Sequence, residues 1–181
     1  MKKIISLLCL ATIVCFTDTV SAQRFSDLDK SPHDISYYRM RRGDDPDIKV
    51  LYGRPQMKGR KIFGGIVPYD RVWRTGANEA TEVTFYRDFR LGGTTLKAGT
   101  YVLYSIPGEN EWTIILNSKL HVWGAYSYDK RHDVASVKVP VKTDTKPLEA
   151  FSITFKDGEN LSIYMILGWD TTRIWVPIEM D

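Results

Sequence analysis

The sequence predicts an all-β chain, a single antiparallel β-sandwich of jelly-roll or immunoglobulin-like type with about eight strands and one long Gly/Arg-rich loop. Three observations predict it. Apolar residues recur with a period of two along most of the chain. Strong turn dipeptides separate the alternating runs. No window carries a convincing apolar helical stripe.

Taken in order, the first run places Ile48, Val50 and Tyr52 against Lys49 and Leu51. Val83 and Phe85 alternate with Thr84 and Tyr86, and Leu91-Gly92-Gly93-Thr94-Thr95-Leu96 reads as a tight hairpin. Tyr101, Leu103 and Ser105 alternate with Val102, Tyr104 and Ile106. Pro107-Gly108-Glu109-Asn110 then turns the chain into Trp112, Ile114 and Leu116, which alternate with Thr113, Ile115 and Asn117. Four further runs follow, centred on Val137–Val141, Phe151–Phe155, Leu161–Leu167 and Ile174–Ile178, with Asp157-Gly158 as the turn between the second and third. Pro140 and Pro177 fall inside strand-like runs, which assigns them to edges or bulges. The best helical candidate, Tyr69 to Ala80, carries Gly76 in its middle and reads as loop with at most one helical turn.

The N-terminus has the pattern of a cleavable export signal over residues 1–22. Lys2 and Lys3 precede an apolar run from Ile4 to Phe16, and Val20-Ser21-Ala22 offers small residues for cleavage. That run is shorter than the roughly 20 residues a membrane span needs. A lipid anchor on Cys15 is the rival reading, and Thr12-Ile13-Val14 lacks the small residue expected before it. The expected location is therefore periplasmic or secreted, and the mature part is expected to be soluble, without a membrane span. Both cysteines, Cys9 and Cys15, lie in the signal, which excludes disulfides and thiolate chemistry from the mature chain. Residues 23–46 are polar and punctuated by Pro32, Gly43 and Pro46, and read as an N-terminal arm. Residues 47–181 are expected to form the one domain.

The charge is nearly balanced, 25 Lys and Arg against 22 Asp and Glu, with both signs interleaved. That excludes the electrostatic footprint of nucleic-acid binding. The local cluster Arg39, Arg41 and Arg42 is followed at once by Asp44, Asp45 and Asp47, the pattern of a solvated lead-in.

One segment departs from strand periodicity. It runs from Tyr52-Gly53-Arg54-Pro55 through Gly59-Arg60-Lys61-Ile62-Phe63-Gly64-Gly65 to Val72-Trp73-Arg74-Thr75-Gly76-Ala77-Asn78-Glu79-Ala80-Thr81. A loop of this length inside a compact domain is usually functional or folded closely on itself. Together with Ala98-Gly99-Thr100-Tyr101, Ile106-Pro107-Gly108, Glu111-Trp112-Thr113, Asn117 and Trp123-Gly124-Ala125-Tyr126, it closely resembles the exported bacterial family of domain of unknown function 2911. The resemblance runs from about Lys49 to the C-terminus. It implies an exported protein and carries over no activity and no catalytic residues.

The residues of the loop give two readings. Guanidinium forks bind carboxylates or phosphates bidentately. Arg54, Arg60, Arg74, Trp73, Asn78 and Glu79, with Trp123 and Tyr126 nearby, are thus the candidate ligand-binding residues. Alternatively, Arg74 or Arg54 pairs with Glu79 under the loop while Asn78 ties down backbone groups. The aromatics of opposite parity, Tyr86, Tyr104, Tyr164 and Trp175, are either a flat stacking platform or a face covered by the arm or the Gly-rich loop.

Catalytic motifs are absent from the sequence. The three histidines, His33, His121 and His132, show no metal-pair spacing, and neither a metal nor a cofactor is expected. A site from His121, His132 and Asp129 or Asp133 is geometrically possible. There is no Gly-x-Ser-x-Gly elbow and no phosphate loop. The leading expectation is a non-enzymatic binding domain of the cell envelope. It would take a small anionic or carbohydrate-like ligand, or an envelope protein, through the loop from Arg54 to Glu79. The alternatives are a hydrolase of an envelope glycan or peptide, using Glu79, Arg74 or His121, and a structural domain that docks a partner on its aromatic face. A polar pocket near Arg74 and Glu79 separates the first two from the third.

Overall fold

The computed structural model of the chain describes residues 24–159 and 162–180. The expected export signal, both cysteines, Asn160 and Leu161 lie outside the described residues. Nine strands follow one another: β1 (His33–Tyr38), β2 (Ile48–Gly53), β3 (Thr81–Phe85), β4 (Phe89–Leu91), β5 (Thr94–Leu96), β6 (Gly99–Ile106), β7 (Glu111–Asn117), β8 (Asp133–Asp157) and β9 (Ser162–Met180). They form one sheet in the order β1-β2-β3-β6-β7-β8-β9-β4-β5, and every neighbouring pair is antiparallel. Among the described residues the one helical element is a 3-10 turn at Lys130–His132, capped by the Asp129 carboxylate.

Local chemistry explains the elements. In β3 the side chains of Thr81, Val83 and Phe85 are buried and those between them half-exposed, as a strand with one covered face requires. The β4–β5 hairpin closes through Gly92 and Gly93, both at positive φ (56° and 80°), the backbone that a two-residue turn matching strand twist demands.

The alternation expected at Val137–Val141 and at Phe151–Phe155 belongs to one long strand, β8, of 25 residues. The last two expected runs merge in the same way into the 19-residue β9. The first part of β8 pairs with β7 and the second with β9. The handover falls at Pro140, which takes the last place in the β7 ladder opposite Glu111, while Val141 pairs with Ile174. A residue without an N–H is tolerated where one ladder ends. Because β8 and β9 run through both regions, hydrogen bonding is continuous across nine strands, where two separate sheets were expected.

That continuous sheet curls around its main core. Ile48, Val83, Leu103, Trp112, Ile153 and Val176, from six different strands, are among the side chains of one buried cluster. Side chains of distant strands meet across it. Tyr52 meets Phe151 edge-on at 5.8 Å, and Tyr38 meets Phe155 at the same separation. The Tyr38 hydroxyl donates to Asp157 at 2.9 Å.

Two expectations are revised here. The polar arm of residues 23–46 includes a strand, since His33–Tyr38 pair with β2 as the sheet's edge. Only Tyr38 of β1 is buried, so the strand carried little apolar signal. The opposite-parity aromatics do not form a platform. Tyr104 is 1% exposed and packs on Tyr128 at 5.1 Å in a second cluster with Ala80, Val102, Ile115 and Val122. The cover is the segment of residues 118–128, rather than the arm or the Gly-rich loop alone. Tyr86 stands apart as an exposed residue, while Tyr164 and Trp175 pair edge-on at 5.4 Å with Lys142 and Lys156 over the indole.

Candidate functional site

The Gly/Arg-rich segment folds closely on itself and threads its apolar residues into the core. Amides of Gly65 and Val67 donate to the Ile62 carbonyl, and Gly64 N–H donates to Val67. Phe63 thereby reaches Trp112 at 4.8 Å. Trp73, one of the candidate ligand residues, is partly buried and packs against the core. Its ring lies 5.2 Å from Phe151 and 6.1 Å from both Trp112 and Trp169, and its indole N–H donates to the Gly76 carbonyl at 3.1 Å.

Residues 73–81 are held by a dense set of bonds. Trp73 and Ser105 exchange backbone hydrogen bonds of 2.7 and 3.0 Å. The buried hydroxyls of Thr75 and Ser105 are 2.9 Å apart, and the Thr81 hydroxyl donates to the Thr75 carbonyl at 2.7 Å. Thr75 is β-branched and yet sits at φ 53°, an unfavourable left-handed backbone that only over-determined surroundings maintain. The next turn lies directly on the end of β2, where a Cβ on Gly53 would collide with the Ala77 carbonyl oxygen.

The three arginines of the loop have different fates. Arg54 is fully engaged: Nε donates to the Phe151 carbonyl at 3.1 Å, Nη1 to Asp34 at 2.8 Å and Nη2 to the Ser152 hydroxyl at 2.9 Å. It ties the end of β2 to β1 and to β8, and its acid partner is Asp34 rather than Glu79. Arg60 donates to the carbonyls of Met57 and Gln56, closing its own turn. Arg74 makes no such bond. Its Nε is buried and lacks a hydrogen-bond partner among the described residues.

Arg60, Trp73, Arg74 and Asn78 line one cavity of about 300 Å3, together with Ser31, Val67 and Trp169 among others. No carboxylate lines it. Asn78, at φ 62°, closes one side, with its side-chain amide 3.4 Å from the Ser31 carbonyl and its backbone carbonyl accepting from Gly124 N–H at 3.1 Å. Gly124 also matters by its size, because a Cβ there would approach the Tyr126 ring at 2.9 Å and Arg74 Nη1 at 3.6 Å. Tyr126 itself is 86% exposed.

Glu79 and Trp123 face a different cavity of about 480 Å3, lined also by His33, Leu51, Ala80, Glu82, His121 and Val122. His33 Nε2 is 3.0 Å from Glu79, and His121 Nδ1 is 3.9 Å from Glu82. The strip of residues 78–80 divides the two cavities: Asn78 lines one, and Glu79 and Ala80 the other.

The matching family model spans residues 31–178 and is described as Protein of unknown function (DUF2911). The chain belongs to the DUF2911 family. The matched region begins just before β1, so the family unit takes in the edge strand. No curated protein and no solved structure matches this DUF2911 chain.

The eight candidate residues of the DUF2911 chain thus divide by location. Arg60, Trp73, Arg74 and Asn78 share one cavity, Glu79 and Trp123 share another, and Arg54 and Tyr126 line neither. His33 and Glu82 went unrecognised as site residues. They come from two non-adjacent strands, and only the antiparallel stacking of β1, β2 and β3 brings them together. His121, a candidate group of the alternative readings, lines the second cavity, whereas His132 is in the 3-10 turn and does not line it.

Proposed function

We propose that this DUF2911 protein is a non-enzymatic binding domain that takes a small oxyanion, a carboxylate or phosphate group, on Arg74. The observation that carries the reading is Arg74 itself, whose Nε is buried without a partner and which lines a cavity that no carboxylate lines. A buried donor left unsatisfied costs about 1–3 kcal/mol, and an oxyanion removes that cost while making bidentate contact. Arg60 supplies a second positive charge and Asn78 an amide at the same cavity. Thr75, adjacent in sequence, holds an unfavourable backbone conformation, and such conformations cluster at ligand clamps. The N-terminal pattern supports a working place outside the cytoplasm, in the envelope or the medium.

The test is a thermal-shift titration of the protein lacking residues 1–22 with inorganic phosphate, succinate and citrate, against chloride at matched ionic strength. Saturation to 100 times the dissociation constant stabilises the fold by about 2.7 kcal/mol. Arg74→Gln removes this shift and leaves the unliganded protein as stable as before, because the buried Nε it removes has no hydrogen-bond partner to lose. A ligand shift that survives in Arg74→Gln overturns the reading. So does a variant that loses stability without ligand.

A further inference from the structure

The second cavity supports a separate site, independent of Arg74. We infer that the cavity between the 121–123 segment and the outer face of β1–β3 binds a polyhydroxylated ring, a saccharide unit, with Trp123 as its stacking surface.

The first argument is the tryptophan. Trp123 lines the cavity and is 59% exposed, unlike the core residues Trp112 and Trp169. Its backbone is nevertheless fixed. Trp123 and Glu79 form an antiparallel bridge, Ala80 N–H donates to the Val122 carbonyl at 3.1 Å, and Gly124 N–H donates to Asn78. His121, two residues earlier, holds φ 58°, so the chain enters this segment through a left-handed residue that is not glycine. An exposed indole on a backbone secured on both sides binds with little loss of conformational freedom. It offers a flat apolar face with a polar edge.

The second argument is the polar complement. A sugar ring presents an apolar face and a girdle of hydroxyls that both donate and accept. The cavity matches both parts. Leu51, Ala80 and Val122 supply apolar surface, and two carboxylates, Glu79 and Glu82, supply acceptors. Each carboxylate has an imidazole beside it, at 3.0 Å for His33 and 3.9 Å for His121. A neutral imidazole brings one donor and one acceptor, so the walls offer both hydrogen-bonding senses. An ammonium ligand would use only the acceptors, and a free anion would be repelled by the two glutamates. Pockets of a few hundred Å3 with an apolar lining and few converging polar groups are of the size that small ligands occupy.

The experiment reads the indole N–H signals of the 15N-labelled protein, in which five tryptophans give five resonances. The Trp123 signal is assigned as the one missing from Trp123→Phe. The probes are tetrasaccharides of N-acetylglucosamine, of α-linked glucose and of mannose, each taken to millimolar concentration, with sorbitol and butylamine as controls. The expected result is a saturable shift of the Trp123 signal with at least one tetrasaccharide. It should weaken about tenfold, a loss of about 1.4 kcal/mol, in Glu79→Gln/Glu82→Gln. These two glutamates are solvent-accessible, and retained dispersion of the amide spectrum shows that the variant is folded. No shift with any saccharide overturns the inference. A shift unaltered in the double variant, or one produced by butylamine and by no saccharide, overturns it equally.

Discussion

Replacing Arg54 by alanine is expected to destabilise the domain by about 2 kcal/mol, without any ligand being involved. The magnitude comes from three contacts: to the Phe151 carbonyl, the Asp34 carboxylate and the Ser152 hydroxyl, at 3.1, 2.8 and 2.9 Å. Bonds to charged groups reach about 1.5–3 kcal/mol each when buried. The Arg54 and Asp34 side chains are 37% and 42% exposed, so solvent reduces each to about 0.5–1 kcal/mol. For a domain of this size the loss lowers the melting temperature by about 4–8 °C. The assay is equilibrium urea unfolding followed by tryptophan fluorescence, with the slope m checked for constancy. Arg54→Lys keeps the charge near Asp34 but cannot span the other two acceptors, so it should recover only part of the loss. Asp34→Asn should cost less than Arg54→Ala, and the double variant should cost less than the sum of the two. A loss below about 0.5 kcal/mol for Arg54→Ala would refute the view that this arginine fastens β2 to β8.

Other substitutions probe the same loop from different sides. Trp73→Ala should cost about 3 kcal/mol, the low end for a large aromatic removed from a core because Trp73 is only partly buried, and chemical denaturation should register it with or without ligand. Gly53→Ala should cost at least about 2 kcal/mol by forcing the Ala77 carbonyl away from β2, again read by urea unfolding. Stability should also fall in alkali. Burial, then the hydrogen bond to Asp157, pushes the Tyr38 hydroxyl from 10.0 up to about 12. Between those two values the unfolded chain gives up a proton that the folded protein keeps, so stability declines as pH rises through the window. Tyr38→Phe should flatten that decline, and denaturation midpoints measured from pH 9 to pH 12 would expose its failure to do so.

The sequence made the strands legible where one face is buried and the other is not. In β3 the order Thr81-Glu82-Val83-Thr84-Phe85 alternates in burial residue by residue, and period-two reading needs nothing more. It was silent on β1 because an edge strand with one buried side chain writes no apolar pattern. It divided β8 and β9 because both lose their alternation at mid-length. Residues 143–147 of β8 are exposed, and its register with β9 shifts between Thr143 and Ser152. Such a stretch resembles a connection between two strands, although the chain continues through it as one.

At the candidate sites the difficulty was of another kind. Arg54, Arg60 and Arg74 are equivalent as residue types, and their spacing does not distinguish them. What separates them is the number of acceptors that the fold delivers to each guanidinium. Arg54 meets a carbonyl and a hydroxyl from β8, nearly a hundred residues away in sequence. Arg60 meets two carbonyls of its own turn. Arg74, whose neighbour Thr75 is pinned to Ser105 and Thr81, is left with a buried donor and no acceptor. A sequence records donors and acceptors but not their assignment, which is settled by strand order. The arginine that marks a site is therefore the one left over after the others have been paired, and it becomes visible only once the pairing is known.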